Sequence, residues 1–137
     1  MTVRFDGRVA IVTGAGGGLG RQHALALAAR GAKVVVNDLG GTVDGGAGTP
    51  RAALAVVEEI RAAGGEAIAS GASVTDYAAV QAMAADALRA WGRIDILVNN
   101  AGILRDKSFA KMELADFRLV VDVHLMGAVH CAKAVWD

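Results

Sequence analysis

Val9-Ala10-Ile11-Val12-Thr13-Gly14-Ala15-Gly16-Gly17-Gly18-Leu19-Gly20, followed by Val34-Val35-Val36-Asn37-Asp38, decides how this chain folds. An apolar run enters a glycine turn, the turn opens a helix, and a second apolar run ends on a carboxylate. Strand, turn, helix, strand and acid together outline a pocket for an adenine dinucleotide. Glycine takes a tight, partly left-handed turn and lets the backbone come close to a pyrophosphate. The free N–H groups and positive dipole end of a helix beginning near Gly18 favour phosphate charge. Asp38 stands about 20 residues beyond Gly18, the interval expected of a carboxylate that accepts from ribose hydroxyls. A plainer reading, in which the glycines only turn the chain, leaves the acid at the end of the second strand unexplained.

Composition narrows the function classes. The chain has 137 residues, 54% of them hydrophobic, with 14 basic residues against 14 acidic ones. That length predicts one domain, 1–137. A balanced charge argues against nucleic-acid binding, which needs clustered Lys and Arg. The apolar runs are too short to span a membrane, and Met1 to Arg8 lack the apolar core of a secretion signal. The single cysteine, Cys131, fits a reducing compartment and, with these features, predicts a cytoplasmic protein. His23, His124 and His130 stand apart from any cluster with metal-ligand spacing, so no metal is expected.

Strands and helices alternate along the chain. Val9–Thr13, Lys33–Asn37, Ala67–Ser70 and Ile94–Val98 read as strands. Leu19–Arg30 reads as a helix stopped at Gly31. Thr49-Pro50 offers a hydroxyl cap and a first-turn proline to a helix carrying Leu54, Val57 and Ile60 and ending at Gly64-Gly65. Thr75 can cap a helix in which Val80, Met83, Ala84, Ala87, Leu88 and Trp91 recur at helical spacing before Gly92. Between Leu39 and Thr49 lies a glycine-rich connection longer than most. A further helix is expected from about Leu114 to Trp136. Such alternation predicts an α/β fold, a doubly wound parallel sheet with helices on both faces.

Gly14, Gly18 and Gly20 form Gly-x-x-x-Gly-x-Gly, and no Lys-Ser or Lys-Thr follows, which excludes a P-loop. With Thr13 before it and Asn99-Asn100-Ala101-Gly102 at the end of the fourth strand, this segment resembles the short-chain dehydrogenase/reductase family. The resemblance runs from Asp6 to Trp136 and implies about four strands of a sheet that has seven in the family. Three segments narrow it: Arg4 to Val9, Val35 to Gly41 with its long glycine loop, and Asn99 to Asp106. They look like the (3R)-hydroxyacyl-CoA dehydrogenase group of peroxisomal type 2 multifunctional enzymes and bacterial relatives. That implies NAD as hydride carrier and a small-molecule substrate, a secondary alcohol or ketone such as a 3-hydroxyacyl thioester of CoA.

Carried over by position, the resemblance places Gly14, Gly18, Leu19 and Gly20 along the pyrophosphate and Asp38 on the adenosine ribose. Ser73-Val74 falls where the family's Asp-Val meets adenine, so one carboxylate acceptor is lost there. Asn99, Asn100, Ala101 and Gly102 would line the nicotinamide-side ribose; equally, the asparagines would serve only to tie the fourth strand to its neighbours. His124 stands where the family's helix has an Asn that holds a relay water. An imidazole relays protons near neutral pH, so His124 is a catalytic candidate, although a packed histidine explains it as well.

The family's Tyr-x-x-x-Lys pair is missing: the one tyrosine, Tyr77, has Gln81 four residues on, and no serine occupies the family's third catalytic position. Two readings stay open. The chain is the cofactor-binding part of an oxidoreductase whose catalytic residues lie beyond Asp137, or it is an inactive nucleotide-binding or oligomerising module. Phe117, Val120, Val121, His124, Gly127, Ala128, Cys131 and Val135 recur at three- and four-residue intervals and predict a packed helix. The family resemblance makes that helix a homo-oligomer contact, with Gly127 at the approach of the second copy; the alternative is a stripe that only covers its own sheet.

Overall fold

The strands of the first half of the chain explain where the sheet is buried. Val9–Val12 (β1) and Lys33–Asn37 (β2) are continuous β-branched and apolar runs, the pattern of strands covered on both faces. The computed structural model describes residues 2–40 and 51–137. Within them β1 leads to helix α1 (Gly18–Ala29) and β2, then to α2 (Arg51–Ala62), β3 (Ala67–Ser70), α3 (Tyr77–Trp91) and β4 (Ile96–Val98). A short 3₁₀ turn at Phe109–Lys111 precedes α4 (Leu114–Val121), a π-helical turn at Asp122–Met126, and α5 (Gly127–Val135). The four strands are parallel in the order β3-β2-β1-β4. The expected α/β doubly wound sheet is therefore present.

Alternate strand residues feed two cores. Val12, Val34 and Val36 pack with Ala24 of α1 and with Val56, Val57 and Ile60 of α2. Ile11 and Val35 point the other way, to Val80 and Met83 of α3 and Cys131 of α5. Burial pushes the Cys131 thiol up to about 11, so it stays protonated and serves as a small apolar filler.

Three local expectations change. Asp76, not Thr75, caps α3: its carboxylate accepts from the Ala79 N–H at 3.2 Å, while the Thr75 hydroxyl pairs with Ser73 at 2.8 Å. The β4 ladder starts at Ile96 rather than Ile94, because the Asp95 side chain takes the Val9 N–H at 2.9 Å. The helix from Leu114 is interrupted by the π turn, across which the Gly127 N–H reaches back to the Asp122 carbonyl. Gly127 is buried; a methyl group there would come within 2.7 Å of Val74. It lets α5 close on its own domain, which displaces it from the expected intersubunit position. The cap at Thr49-Pro50 and the loop's glycines from Gly41 onward lie outside the described residues.

Candidate nucleotide-binding site

β2 lies on one side of β1 and β4 on the other, so the chain reverses its winding between β1 and β4. Ligand crevices in doubly wound sheets open at such a switch point, beyond the carboxyl ends of the strands. Two side chains hold that end together. Thr13, buried at the tip of β1, accepts through Oγ1 from the backbone N–H of Asn100 (3.0 Å) and Ala101 (2.9 Å) and donates to the Val98 carbonyl (3.4 Å). Asn100 returns the tie, its Nδ2 donating to the carbonyls of Thr13 (3.0 Å) and Gly14 (3.1 Å). The structure thus places Asn100 behind the crevice, as a brace between β4 and the glycine turn.

The glycines divide by environment. Gly14 has φ +63, and a Cβ there would press on Ala101 at 2.9 Å. Gly20 admits α1 against the turn; a methyl group there would overlap the Gly14 carbonyl and the Asn100 amide. At Gly17 and Gly18, by contrast, an added Cβ would meet nothing within 4 Å. Gly17 caps α1 in extended conformation with no side-chain bond to the helix start. The first N–H groups of a helix have no intrahelical partner, so α1 presents bare donors and a positive dipole end into open space. Leu19, 74% exposed, stands on that same first turn.

Asp38 closes the other side. Its Oδ2 accepts from the Gly16 N–H (3.0 Å) and its Oδ1 from the Gly40 N–H (2.9 Å). A carboxylate offers about four lone-pair positions, so the group is fixed in place yet keeps acceptor capacity. Between the start of the glycine turn, Asp38 and the segment that follows β4 runs a cleft of about 170 Å³ that collects Gly14, Asp38, Ser73, Val74, Ala101 and Gly102, while Gly18, Leu19 and Gly20 do not line it. Six sequence-predicted residues therefore share one cavity. The Ser73 hydroxyl is engaged with Thr75. Asn99 and His124 line a smaller neighbouring crevice with Thr13 and Gly127.

His124 sits on the π turn with its ring over Gly102. Its Nε2 lies 3.1 Å from the Ile103 N–H and 2.9 Å from the Ile103 carbonyl. One nitrogen either accepts or donates, so either protonation state retains one bond to Ile103. His130 approaches the Val74 carbonyl through Nδ1 (2.7 Å) and packs on Tyr77, ring centroids 5.4 Å apart. Asn37, missed as a cleft residue by the sequence reading, is buried and donates to the Ala72 carbonyl at 2.9 Å, fixing the wall that carries Ser73 and Val74. Its one signal was a polar residue closing the run Val34-Val35-Val36. Among the described residues, no three His, Cys, Asp or Glu side chains group as a metal site, and no helix is long and apolar enough to cross a membrane.

Comparison with known proteins supplies an independent view. A family profile described as short chain dehydrogenase matches residues 8–137. The peroxisomal multifunctional enzyme type 2 of Drosophila melanogaster is 59% identical over 134 residues, 98% of this chain and 22% of that protein. A short chain dehydrogenase from Mycobacterium avium superposes with a TM-score of 0.85 at 50% identity, over 95% of this chain and 45% of the other. Carveol dehydrogenase from the same organism, solved in complex with NAD, gives a TM-score of 0.89 at 28% identity, over 98% of this chain and 50% of the other. The chain thus spans about a fifth of the length of the Drosophila relative and about half of the solved structures.

Proposed function

The chain belongs to the short-chain dehydrogenase family, and from that premise we propose that it forms the NAD-binding part of an oxidoreductase acting on a secondary alcohol or ketone. The substrate class we propose is a 3-hydroxyacyl thioester, the reading supported by the resemblance carried by the segments flanking Asp38 and Gly102. Bound NAD would supply the hydride acceptor. The remaining work falls to this chain's residues. Gly14, Gly18, Leu19 and Gly20 bring backbone N–H groups and the dipole of α1 to the pyrophosphate. Asp38 accepts from the adenosine ribose hydroxyls, and Ser73 and Val74 border the adenine. Asn99, Ala101 and Gly102 line the nicotinamide side, while Asn100 braces it from behind.

The observation that carries this reading is the fixed Asp38 carboxylate beside a glycine turn that leads into an uncapped helix start, where the Cβ positions of Gly17 and Gly18 open into empty space. That arrangement fits a diphosphate flanked by a ribose, and it disfavours a 2′-phosphate, which would meet the carboxylate with no compensating charge at Gly17. Calorimetric titration with NAD and NADP tests it. NAD should bind about ten- to a hundredfold more tightly, and Asp38→Ala should erase the difference.

For His124 we propose a positioning role, holding the β4 exit on the π turn through the contact of its Nε2 with Ile103. The chain contains no Tyr-x-x-x-Lys pair. We therefore assign it binding without proton transfer and expect no NADH turnover from residues 1–137 with 3-hydroxyacyl or 3-oxoacyl thioesters. Turnover free of contaminating enzyme would refute that assignment. We also propose a homo-oligomer, built through the face of α4 and α5 where Phe117, Leu125 and Val129 remain exposed.

A further inference from the structure

Gly16 falls on a free position of the Gly-x-x-x-Gly-x-Gly pattern, so the pattern does not ask for glycine there. Backbone conformation does not ask for it either, since Gly16 is not among the positive-φ glycines. The demand comes from a neighbour. A Cβ built on Gly16 would lie 2.7 Å from Asp38 Oδ2, 2.8 Å from Asp38 Cγ and 2.7 Å from the Ala52 Cβ. The same Oδ2 accepts the Gly16 N–H at 3.0 Å. Gly17, one residue on, has open space where its Cβ would be. The missing side chain at position 16 is what lets the carboxylate settle against the turn.

We propose that Gly16 is a specificity-positioning residue: its bare Cα seats the Asp38 carboxylate so that the remaining lone pairs face the ribose hydroxyls. The inference rests on the NAD reading of the site. Any side chain at 16 pushes the carboxylate away by roughly half an ångström to reach ordinary contact distance, stretches the Gly16 bond and turns the acceptors off the hydroxyls. NAD depends on those acceptors and NADP does not.

The test is a double-mutant cycle read by calorimetry with NAD and NADP on the full-length protein, with thermal melts to verify folding. Gly16→Ala should weaken NAD about tenfold and NADP by less than about threefold, narrowing the preference. In an Asp38→Ala background the same substitution should change NAD affinity by less than about twofold. Because Ala52 also crowds the site, the series is repeated in an Ala52→Gly background, which leaves Asp38 as the obstacle. Equal losses for both cofactors, an undiminished NAD loss without Asp38, or failure to fold in both backgrounds would overturn the proposal and leave Gly16 a turn residue. Failure of the wild type to bind NAD is a different result, and would remove the NAD reading itself.

Discussion

The β1–α1–β2 unit and the segment from β4 to α5 are both rich in apolar residues, yet they use them differently. Every residue of β1 and the three valines of β2 are at most 1% exposed. In β4 all three residues are only half-buried, and α4 buries none of its own. Phe117 is 54% exposed, Leu125 60% and Val129 47%. The first region satisfies its apolar surface within the chain, on two faces at once. The second buries one face, through Gly127 and Cys131, and leaves these side chains exposed on another. β4 is also an edge strand of the described sheet. Apolar content alone therefore predicts packing, and only the set of neighbours tells which surface does it.

The sharpest way to break this contrast is to overfill the first region. Gly20→Val should cost about 3 kcal/mol, since the new side chain has rigid backbone and the Asn100 amide to displace. Urea unfolding would measure it. Thr13→Val keeps the shape but strips the acceptor from the Asn100 and Ala101 N–H groups, at an expected cost of about 2 kcal/mol. If that loss is near zero, the brace between the two regions is ornamental.

A smaller effect is expected where the second region begins. The Arg93 guanidinium and the Val9 N–H hold the Asp95 carboxyl down at about 2, against an ordinary 3.8. A depressed folded value means that its stabilisation is complete above pH 3.8 and drains away as pH falls through about 2. With solvent screening the amount is about 1 kcal/mol, and Asp95→Asn should remove that part of the acid dependence. The smallest effect on stability belongs to Leu125→Ser. The folded chain should change by less than about 0.5 kcal/mol, while sedimentation of the full-length protein should shift toward monomer. A large stability loss would mean that this surface packs within the chain.

What the sequence made legible follows the same division. The glycine turn, Asp38 and the four strands depend on local order, and each could be read from neighbours in the chain. Thr13 and Asn37 could not be weighed in that way. Their partners lie 85 or more and 33 or more residues away, so only the fold reveals that they build the cleft. The choice of Asp76 over Thr75 turns on which side chain reaches the Ala79 N–H, a distance no propensity resolves. The π turn accompanies the His124 contact with Ile103, again 21 residues distant. Gly127 showed a small residue at helical spacing, but not that Val74 was what it made room for.

The central claim is that the first region carries a ribose-reading carboxylate, and paired titrations of the full-length protein with NAD and NADP, for wild type and Asp38→Ala, test it most directly. NAD should lead NADP by about ten- to a hundredfold in the wild type and by less than about threefold in the variant. Equal affinities in the wild type, or a preference untouched by Asp38→Ala, would contradict the account.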